Sequence, residues 1–167
     1  KVGYLPEDVG FYDDLTGPEN LIYTAKLNGI AGDAATEKAI SLFKKVGLGG
    51  EEKKKVGKYS RGMRQRLGLA DALVKSPEVI ILDEPTKGVD VGAKAAIYEI
   101  IGDLASQGYG ILFVSSEMPE VLGMSDRVVV MKEGHVTAIF NTHEATQEQI
   151  LNAAMLAETP RTIEVGV

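Results

Sequence analysis

An apolar run at residues 79–82 ends in two adjacent carboxylates, Asp83 and Glu84, and this run limits the folds open to the chain. Pro77 and Pro85 bound the run, which therefore has the length of a strand and is too short for a helix. A continuous apolar run of this kind predicts a strand buried on both faces of a sheet. Acidic side chains directly after such a strand lie at the carboxyl edge of the sheet, where α/β proteins bind ligands.

The carboxylate pair has two interpretations. In a P-loop nucleotide hydrolase, the first carboxylate holds Mg²⁺ and the second orients and deprotonates the attacking water. Alternatively, the pair is an acidic turn that only caps the next element of structure. Asp83 and Glu84 do not by themselves decide between these two interpretations.

The rest of the sequence predicts an α/β domain with a mostly helical part near its amino end. Residues 2–5 are apolar and end in a turn, as a strand would. The other predicted elements, in order, are helices near 18–28, 33–47 and 61–75, a helix at 92–107, a strand at 111–114, a short helix from Met118, a hairpin of 128–131 with 135–140, and a final helix after the capping pair Thr146 and Gln149.

Composition excludes several classes of function. The 167 residues carry a formal net charge of −6, which disfavours a general nucleic-acid binder, and we predict no nucleic-acid partner. The sequence has no cysteine, which excludes a disulfide framework, a thiolate metal site and a cysteine nucleophile. No apolar run reaches the roughly 18 residues that cross a bilayer. The amino end also lacks a signal-peptide core, so the sequence predicts a soluble protein of the cytosol.

A second candidate site lies at residues 59–66, where Ser60 stands at the N-cap position of a predicted helix. A Ser-x-Gly step at this point exposes backbone N–H groups and a hydroxyl at the positive end of the helix. That arrangement suits a phosphate group. The alternative is an ordinary capped helix with a solvated basic face.

In combination, these motifs resemble the nucleotide-binding domain of ABC (ATP-binding cassette) transporters. Residues 59–63 resemble the family's signature sequence, with Arg61 where glycine is commoner and Met63 where glutamine is commoner. Residues 79–84 resemble the Walker B strand of the family, and residues 87–90 resemble its D-loop.

Two further positions complete the resemblance, which covers nearly the whole chain. Glu7 stands at the glutamine position of the Q-loop, and Ser116 stands where the family has its switch histidine. The resemblance implies a P-loop NTPase-like ABC ATPase fold, partial here, with a parallel core sheet and a helical subdomain. It divides the chain into a Q-loop and signature-bearing helical subdomain (1–76), a RecA-like α/β core portion (77–157) and a loose tail (158–167).

The resemblance also implies functional roles. ATP and Mg²⁺ are the implied cofactors, with Asp83 and Glu7 binding the metal and Glu84 and Ser116 at the catalytic positions. The residues implied in nucleotide binding are Glu7, Ser60, Arg61, Gly62, Met63 and Asp90. The implied partners are a second nucleotide-binding domain and transmembrane transporter subunits. Such partners would place the chain peripherally, at the cytoplasmic face of the cell membrane.

The sequence departs from the family pattern in three ways. No G-x-x-x-x-G-K-[ST] motif occurs, so this sequence lacks the loop and the lysine that cradle phosphates, which predicts a missing amino-terminal segment. Ser116 cannot relay a proton near neutral pH as an imidazole can. Residues 3–82 resemble the ATPases of ABC-2-type or drug exporters. Residues 87–155 resemble the second cassette of ribose-type sugar importers.

These departures leave the activity open. The sequence predicts a fragment of an ATP-binding subunit that couples ATP binding and hydrolysis to solute transport across a membrane. The alternative is a catalytically inactive interaction module, or a chimeric ABC fragment without a P-loop. Whether the natural site hydrolyses ATP is undecided by the sequence.

Overall fold

The computed structural model describes residues 1–155, which fall into two units. The first unit is Lys1–Ser116, and the second begins at Glu117. This division does not fall at residue 76, where the resemblance divides the chain, and the subdomains 1–76 and 77–157 stay predictions. The predicted tail, 158–167, lies outside the described residues.

The first unit contains all the predicted helices and strands up to residue 114, with ends within about three residues of the predicted ones. In chain order they are β1 (Val2–Leu5), α1 (Gly17–Leu27), α2 (Gly32–Lys45), α3 (Arg61–Ala72), β2 (Val79–Asp83), α4 (Val91–Ser106) and β3 (Gly110–Val114). A 3₁₀ turn, Val56–Lys58, precedes α3.

The strands of the first unit form a parallel sheet in the order β1-β2-β3. On one face, Leu5 of β1 lies beside Leu82 of β2, and both side chains are fully buried. Helix α3 packs closely on this face, because a Cβ atom at Gly68 would lie only 2.4 Å from Leu5 Cδ1. The glycine therefore permits a helix-to-strand approach that a larger residue would prevent.

The opposite face of the sheet is open within the described residues. Tyr4 is 54% exposed, Val79 is 40% exposed and Leu112 is 50% exposed. The prediction that residues 79–82 form a strand buried on both faces is therefore wrong. The run is continuously apolar, but residues 1–155 bury only alternate side chains of it, Ile80 and Leu82.

Local sequence explains where the helices begin. At α1, Thr16 and Glu19 form a capping box, in which the Thr16 N–H donates to Glu19 Oε2 at 2.7 Å. Pro18 lies in the first turn, where its missing N–H costs no hydrogen bond. At α3, Ser60 is the N-cap, as predicted, and its Oγ accepts a hydrogen bond from the Met63 N–H at 3.2 Å.

The second unit pairs a hairpin with two helices. Its elements are α5 (Met118–Met124), β4 (Arg127–Lys132), β5 (His135–Asn141), a 3₁₀ turn at Thr142–Glu144 and α6 (Gln147–Met155). Strands β4 and β5 are antiparallel, which confirms the predicted hairpin. The predicted cap of α6 is also present, since the Thr146 N–H donates to Gln149 Oε1 at 2.8 Å. In the part of the chain that the structure describes, no helix has both the length and the apolar character needed to span a membrane.

Candidate functional site

Strand β2 delivers the two carboxylates to the carboxyl edge of the sheet. Asp83 is the last residue of β2, and its Oδ2 accepts a hydrogen bond from the Tyr4 hydroxyl at 3.3 Å. Partial desolvation, followed by the charge and hydrogen bond of Asp83, raises the pKa of Tyr4. Tyr4 therefore stays a neutral hydrogen-bond donor to Asp83 at physiological pH.

Glu84 has an unusual backbone conformation. Its φ angle is 48°, in the left-handed region that residues other than glycine rarely adopt. The Glu84 N–H donates to the carbonyl oxygen of Val114 on the neighbouring strand at 2.9 Å, which helps to hold this conformation. Strain of this kind is concentrated at functional sites, where the surrounding structure fixes a side-chain direction.

Glu7 follows β1 and is engaged in two ways. Its Oε1 forms an ion pair with Lys87 Nζ at 2.8 Å. Its backbone oxygen accepts a hydrogen bond from Nε2 of Gln65, a residue of α3 that is only 2% exposed. The hydrogen bond with Glu7 is the main cause of a raised pKa for Lys87, with the charge of Glu7 second and that of Glu84 a weaker contribution.

Only part of the signature-like segment is exposed to solvent. Ser60 and Arg61 are exposed, whereas Gly62 and Met63 are buried. A Cβ atom at Gly62 would lie 2.6 Å from the Cβ of Ala93, so the first turn of α3 meets the first turn of α4. The Met63 side chain lies inside the fold, with Sδ 3.8 Å from Nζ of Lys54. Any ligand contact by residues 62 and 63 would have to use the backbone.

Arg61 reaches the loop that follows the carboxylates. Its Nε donates to the carbonyl oxygen of Lys87 at 2.5 Å, and its Nη1 lies 3.7 Å from Asp8 Oδ1. Gly88 lies directly beneath this guanidinium group, with φ at 69°, and a Cβ there would be 3.1 Å from Arg61 Nε. Only glycine combines the left-handed conformation with the absence of a side chain at this point.

Asp90 is the N-cap of α4. Its Oδ1 accepts a hydrogen bond from the Ala93 N–H at 3.0 Å. The family resemblance implies a nucleotide-binding role for Asp90, and that role stays a prediction beside the observed cap. Capping fixes the end of the loop that begins at Glu84, because the first turn of α4 is tied to the Asp90 side chain.

Ser116 follows β3 and is exposed at the end of the first unit. Because β3 pairs in parallel with β2, and Asp83 is in register with Val114, the chain reaches Ser116 beyond the same sheet edge that carries the carboxylates. The two histidines of the sequence, His135 and His143, belong to the second unit. Neither occupies the position of the family's switch histidine.

The residues that can hold a metal ion are few. Among residues 1–155 there is no group of three or more His, Cys, Asp or Glu residues that could form a metal site. Mg²⁺ is usually held by one or two carboxylates together with substrate phosphates and waters. Asp83 fits that role, since it stands at the sheet edge with a single described hydrogen bond. Glu7 Oε1 is paired with Lys87 Nζ at 2.8 Å, so a metal at this carboxylate would share it with an ammonium group, and the metal role of Glu7 stays a prediction.

The structure adds residues that the sequence analysis assigned no role. Tyr4 bonds Asp83, Gln65 holds the backbone at Glu7, and Lys87 links Glu7 to Arg61. Tyr4 and Lys87 belong to the predicted Q-loop and D-loop segments. The position of Lys87 shortly after Glu84 was a usable signal, whereas nothing in the sequence indicated the contacts of Tyr4 and Gln65.

Comparison with known proteins identifies a family and two similar proteins. A family model described as "ABC transporter" matches residues 1–87, just over half of the chain. The chain is similar to "Xylose import ATP-binding protein XylG" of Geobacillus kaustophilus, with 57% identity over 100 residues. The protein of that name from Moorella thermoacetica is 53% identical over 100 residues. Each alignment covers 60% of this chain and 20% of the relative, so the chain spans about a fifth of the length of these curated relatives.

These matches confirm the resemblance to ABC ATPases, including the sugar-importer type, and the parallel sheet with its helices confirms the predicted fold class. The resemblance of residues 3–82 to exporter ATPases stays a prediction. From its family match, its relatives and its fold, the chain belongs to the ABC transporter family, as part of an ATP-binding domain.

Proposed function

We propose that the chain supplies the Walker B and signature parts of an ATP-binding subunit that couples ATP binding and hydrolysis to transport. The observation that carries this proposal is the backbone of Glu84, held at a φ of 48° directly after Asp83 at the end of the middle strand. A strained residue after a conventional strand indicates a side chain that is aimed for chemistry. Ser76 and Glu133 have similar φ angles in turns, so the position of Glu84, directly after Asp83 at the carboxyl edge of the sheet, supports the proposal together with its conformation.

The proposed roles follow from the positions of the side chains. Asp83 binds Mg²⁺ through an oxygen at the sheet edge, and Glu84 accepts a proton from the attacking water. Mg²⁺ bound with ATP would neutralise charge that develops on the phosphates. Ser60 and the backbone of the first turn of α3 face a phosphate held by a second nucleotide-binding domain, using the positive end of the helix.

The proposed transport role is sugar import. The relatives are named as xylose import ATP-binding proteins, and a pentose is therefore the substrate class that we propose for the transporter. A second nucleotide-binding domain and transmembrane subunits are the proposed partners. The chain would then act at the cytoplasmic face of the membrane. The resemblance of residues 3–82 to exporter ATPases favours the opposite direction of transport, and a transport assay distinguishes the two directions.

The first experiment is a calorimetric titration of the 167-residue chain with Mg²⁺-ATP. We expect no detectable heat at micromolar concentrations, since the sequence lacks the phosphate-cradling motif. Micromolar binding would contradict the division of roles proposed here, because the signature and Walker B parts would then form a tight site by themselves.

Weak contact at Asp83 is measured separately by nuclear magnetic resonance with millimolar Mn²⁺-ATP. We expect the paramagnetic ion to broaden the amide signals around Asp83, and Asp83→Asn to remove the effect. Asp14→Asn is the matched control, since Asp14 is an exposed acid in the loop before α1. Equal broadening in the Asp83→Asn variant would contradict the proposed metal role.

The catalytic role of Glu84 separates an active site from an inactive module. In an ATP-binding subunit that supplies the phosphate-cradling loop together with this chain, Glu84→Gln should abolish ATP turnover while ATP stays bound, because the amide cannot accept the proton of water. An inactive interaction module would show the same behaviour with either residue at position 84.

A further inference from the structure

Two loops and the first turn of α3 meet around Lys87. Glu7 and Asp8 come from the loop after β1, Arg61 is the first residue of α3, and Lys87 lies between the carboxylates and α4. We call Glu7, Asp8, Arg61 and Lys87 the Lys87 clamp. Its contacts are the Glu7–Lys87 ion pair at 2.8 Å, the Arg61 hydrogen bond to the Lys87 carbonyl at 2.5 Å and the Arg61–Asp8 pair at 3.7 Å.

Lys87 is held from two directions. Its ammonium group binds Glu7, while its own carbonyl oxygen is bound by Arg61. A single exposed ion pair restrains a loop only weakly. Here, the side chain and the backbone of the same residue are both engaged, so movement of the loop at residues 84–90 must break both contacts. Gly88 makes the contact with Arg61 possible, because the absence of a side chain at position 88 leaves room for the guanidinium group.

The clamp places a cation of the chain on a carboxylate that the resemblance assigns to Mg²⁺. Lys87 Nζ lies on Glu7 Oε1, and the charge of Glu84 also acts on it. An ammonium group and a divalent cation compete for the same oxygen, because each requires the negative charge for itself. A divalent cation that binds Glu7 Oε1 must therefore displace Lys87.

We propose that Lys87 and Arg61 are positioning residues that hold the loop at 84–90 against Glu7 and keep Glu7 from a divalent cation until Lys87 releases it. This inference rests on the proposed function for its purpose. The contacts of the clamp do not depend on the proposed function, because they form without a nucleotide. Arg61, which stands where the family more often has glycine, acquires a role that glycine could not perform.

Hydrogen exchange at two amides tests the positioning role. The Lys87 N–H bonds the Glu84 oxygen at 3.2 Å, and the Val89 N–H bonds the Thr86 oxygen at 3.1 Å, so both report opening of the loop. In Lys87→Gln, we expect these amides to exchange about two- to fivefold faster, as suits the loss of a partly exposed ion pair. The Leu48 N–H, bonded to the Phe43 oxygen at 3.2 Å, should keep its rate.

Three further variants separate this role from a general effect of charge. Lys53→Gln is the matched control, since Lys53 is also exposed and the variant loses the same charge. Arg61→Lys should accelerate exchange at residues 87 and 89, because it keeps the charge but loses the planar donor. The double variant Glu7→Lys with Lys87→Glu, which swaps the two charges, should restore slow hydrogen exchange. Unchanged exchange in Lys87→Gln, or equal acceleration in Lys53→Gln, would overturn the proposal.

Titration with Mn²⁺ alone tests the exclusion of a cation. The amide signal of Glu7 should broaden at about two- to fivefold lower Mn²⁺ concentration in Lys87→Gln than in the unchanged chain, in line with release from one ion pair. In the double variant Glu7→Lys with Lys87→Glu, the amide signal of residue 7 should broaden less than in Lys87→Gln, since a lysine replaces the carboxylate at position 7 while the adjacent Asp8 remains. The same Mn²⁺ midpoint in Lys87→Gln and in Lys53→Gln would overturn the exclusion of the cation.

Failure of this inference and failure of the proposed function give different results. If Asp83→Asn leaves the effect of Mn²⁺-ATP unchanged, the proposed function fails, while the exchange rates still decide the positioning role. If the amides of residues 87 and 89 exchange at the same rate in Lys87→Gln as in the unchanged chain, the positioning role fails. The metal role of Asp83 is then judged by the Asp83→Asn variant.

Discussion

The two faces of the three-stranded sheet differ in what covers them. On one face, Leu5, Ile80 and Leu82 are fully buried, and α3 approaches closely at Gly68. On the other face, within residues 1–155, Tyr4 and Leu112 are at least half exposed. Asp83 lies on this open face, since it alternates with Leu82 along β2.

This difference shows that the same strands serve two purposes. The covered face contributes burial of apolar side chains, which is the dominant stabilising contribution in folding. The open face contributes a carboxylate and its hydrogen-bond donor at the carboxyl edge of the sheet. A substitution should therefore affect stability on the first face much more than on the second.

A pair of leucine substitutions gives the largest expected contrast. Leu82→Ala should lower the free energy of unfolding by about 2–5 kcal/mol, because it leaves a cavity in the buried face. Leu112→Ala on the open face should lower it by less than about 1 kcal/mol. Chemical denaturation of the two variants measures both values. Equal losses would show that the open face is covered in solution.

A pair of glycine substitutions should differ in sign. Gly68→Ala should destabilise the fold by about 1–3 kcal/mol, because its Cβ would overlap Leu5 and force α3 away from the sheet. Gly102→Ala, in α4, meets no atom within 4 Å and should stabilise the chain by about 0.5–1 kcal/mol through helix propensity. Thermal unfolding measures both. A neutral Gly68→Ala would mean that the packing on the covered face is loose.

The smallest expected effect concerns a carboxyl group on the helix that covers the sheet. Burial raises the pKa of Asp71, although a hydrogen bond with Thr24 and the charge of Lys75 lower it in part. The folded state thus favours protonated Asp71, so its contribution to stability is present below the usual Asp pKa and is lost as pH rises through the raised pKa.

Asp71→Asn should remove this loss. We expect the variant to be more stable than the unchanged chain at neutral pH, by about 1 kcal/mol or less, with the difference shrinking toward acid. Denaturation midpoints across the acid range measure the trend, with Asp14→Asn as an exposed control. A variant that is less stable at neutral pH would mean that the Asp71 charge has a stabilising partner.

Much of the local structure could be predicted from the sequence, because the relevant signals are short-range. Ser60 marked the start of α3, and Thr146 with Gln149 marked that of α6. Caps of this kind involve groups within three residues of each other, so their geometry follows from adjacent sequence.

The contacts and burial of the candidate-site residues were harder to predict from the sequence. Glu7 was assigned to Mg²⁺ from its motif position, but its ion pair with Lys87 joins two loops that are distant along the chain. The burial of Met63 was not predicted for a similar reason. It depends on how α3 packs against the rest of the fold.

The sequence by itself determined where the helices and strands begin and end, and that Asp83 and Glu84 stand at the end of a strand. The tertiary structure alone decided which face of that strand is covered, that Lys87 pairs with Glu7 and that Arg61 binds the Lys87 carbonyl oxygen. The physical reason is range: propensity, capping and alternation act within a few residues, whereas burial and ion pairing depend on chain segments that only folding brings together.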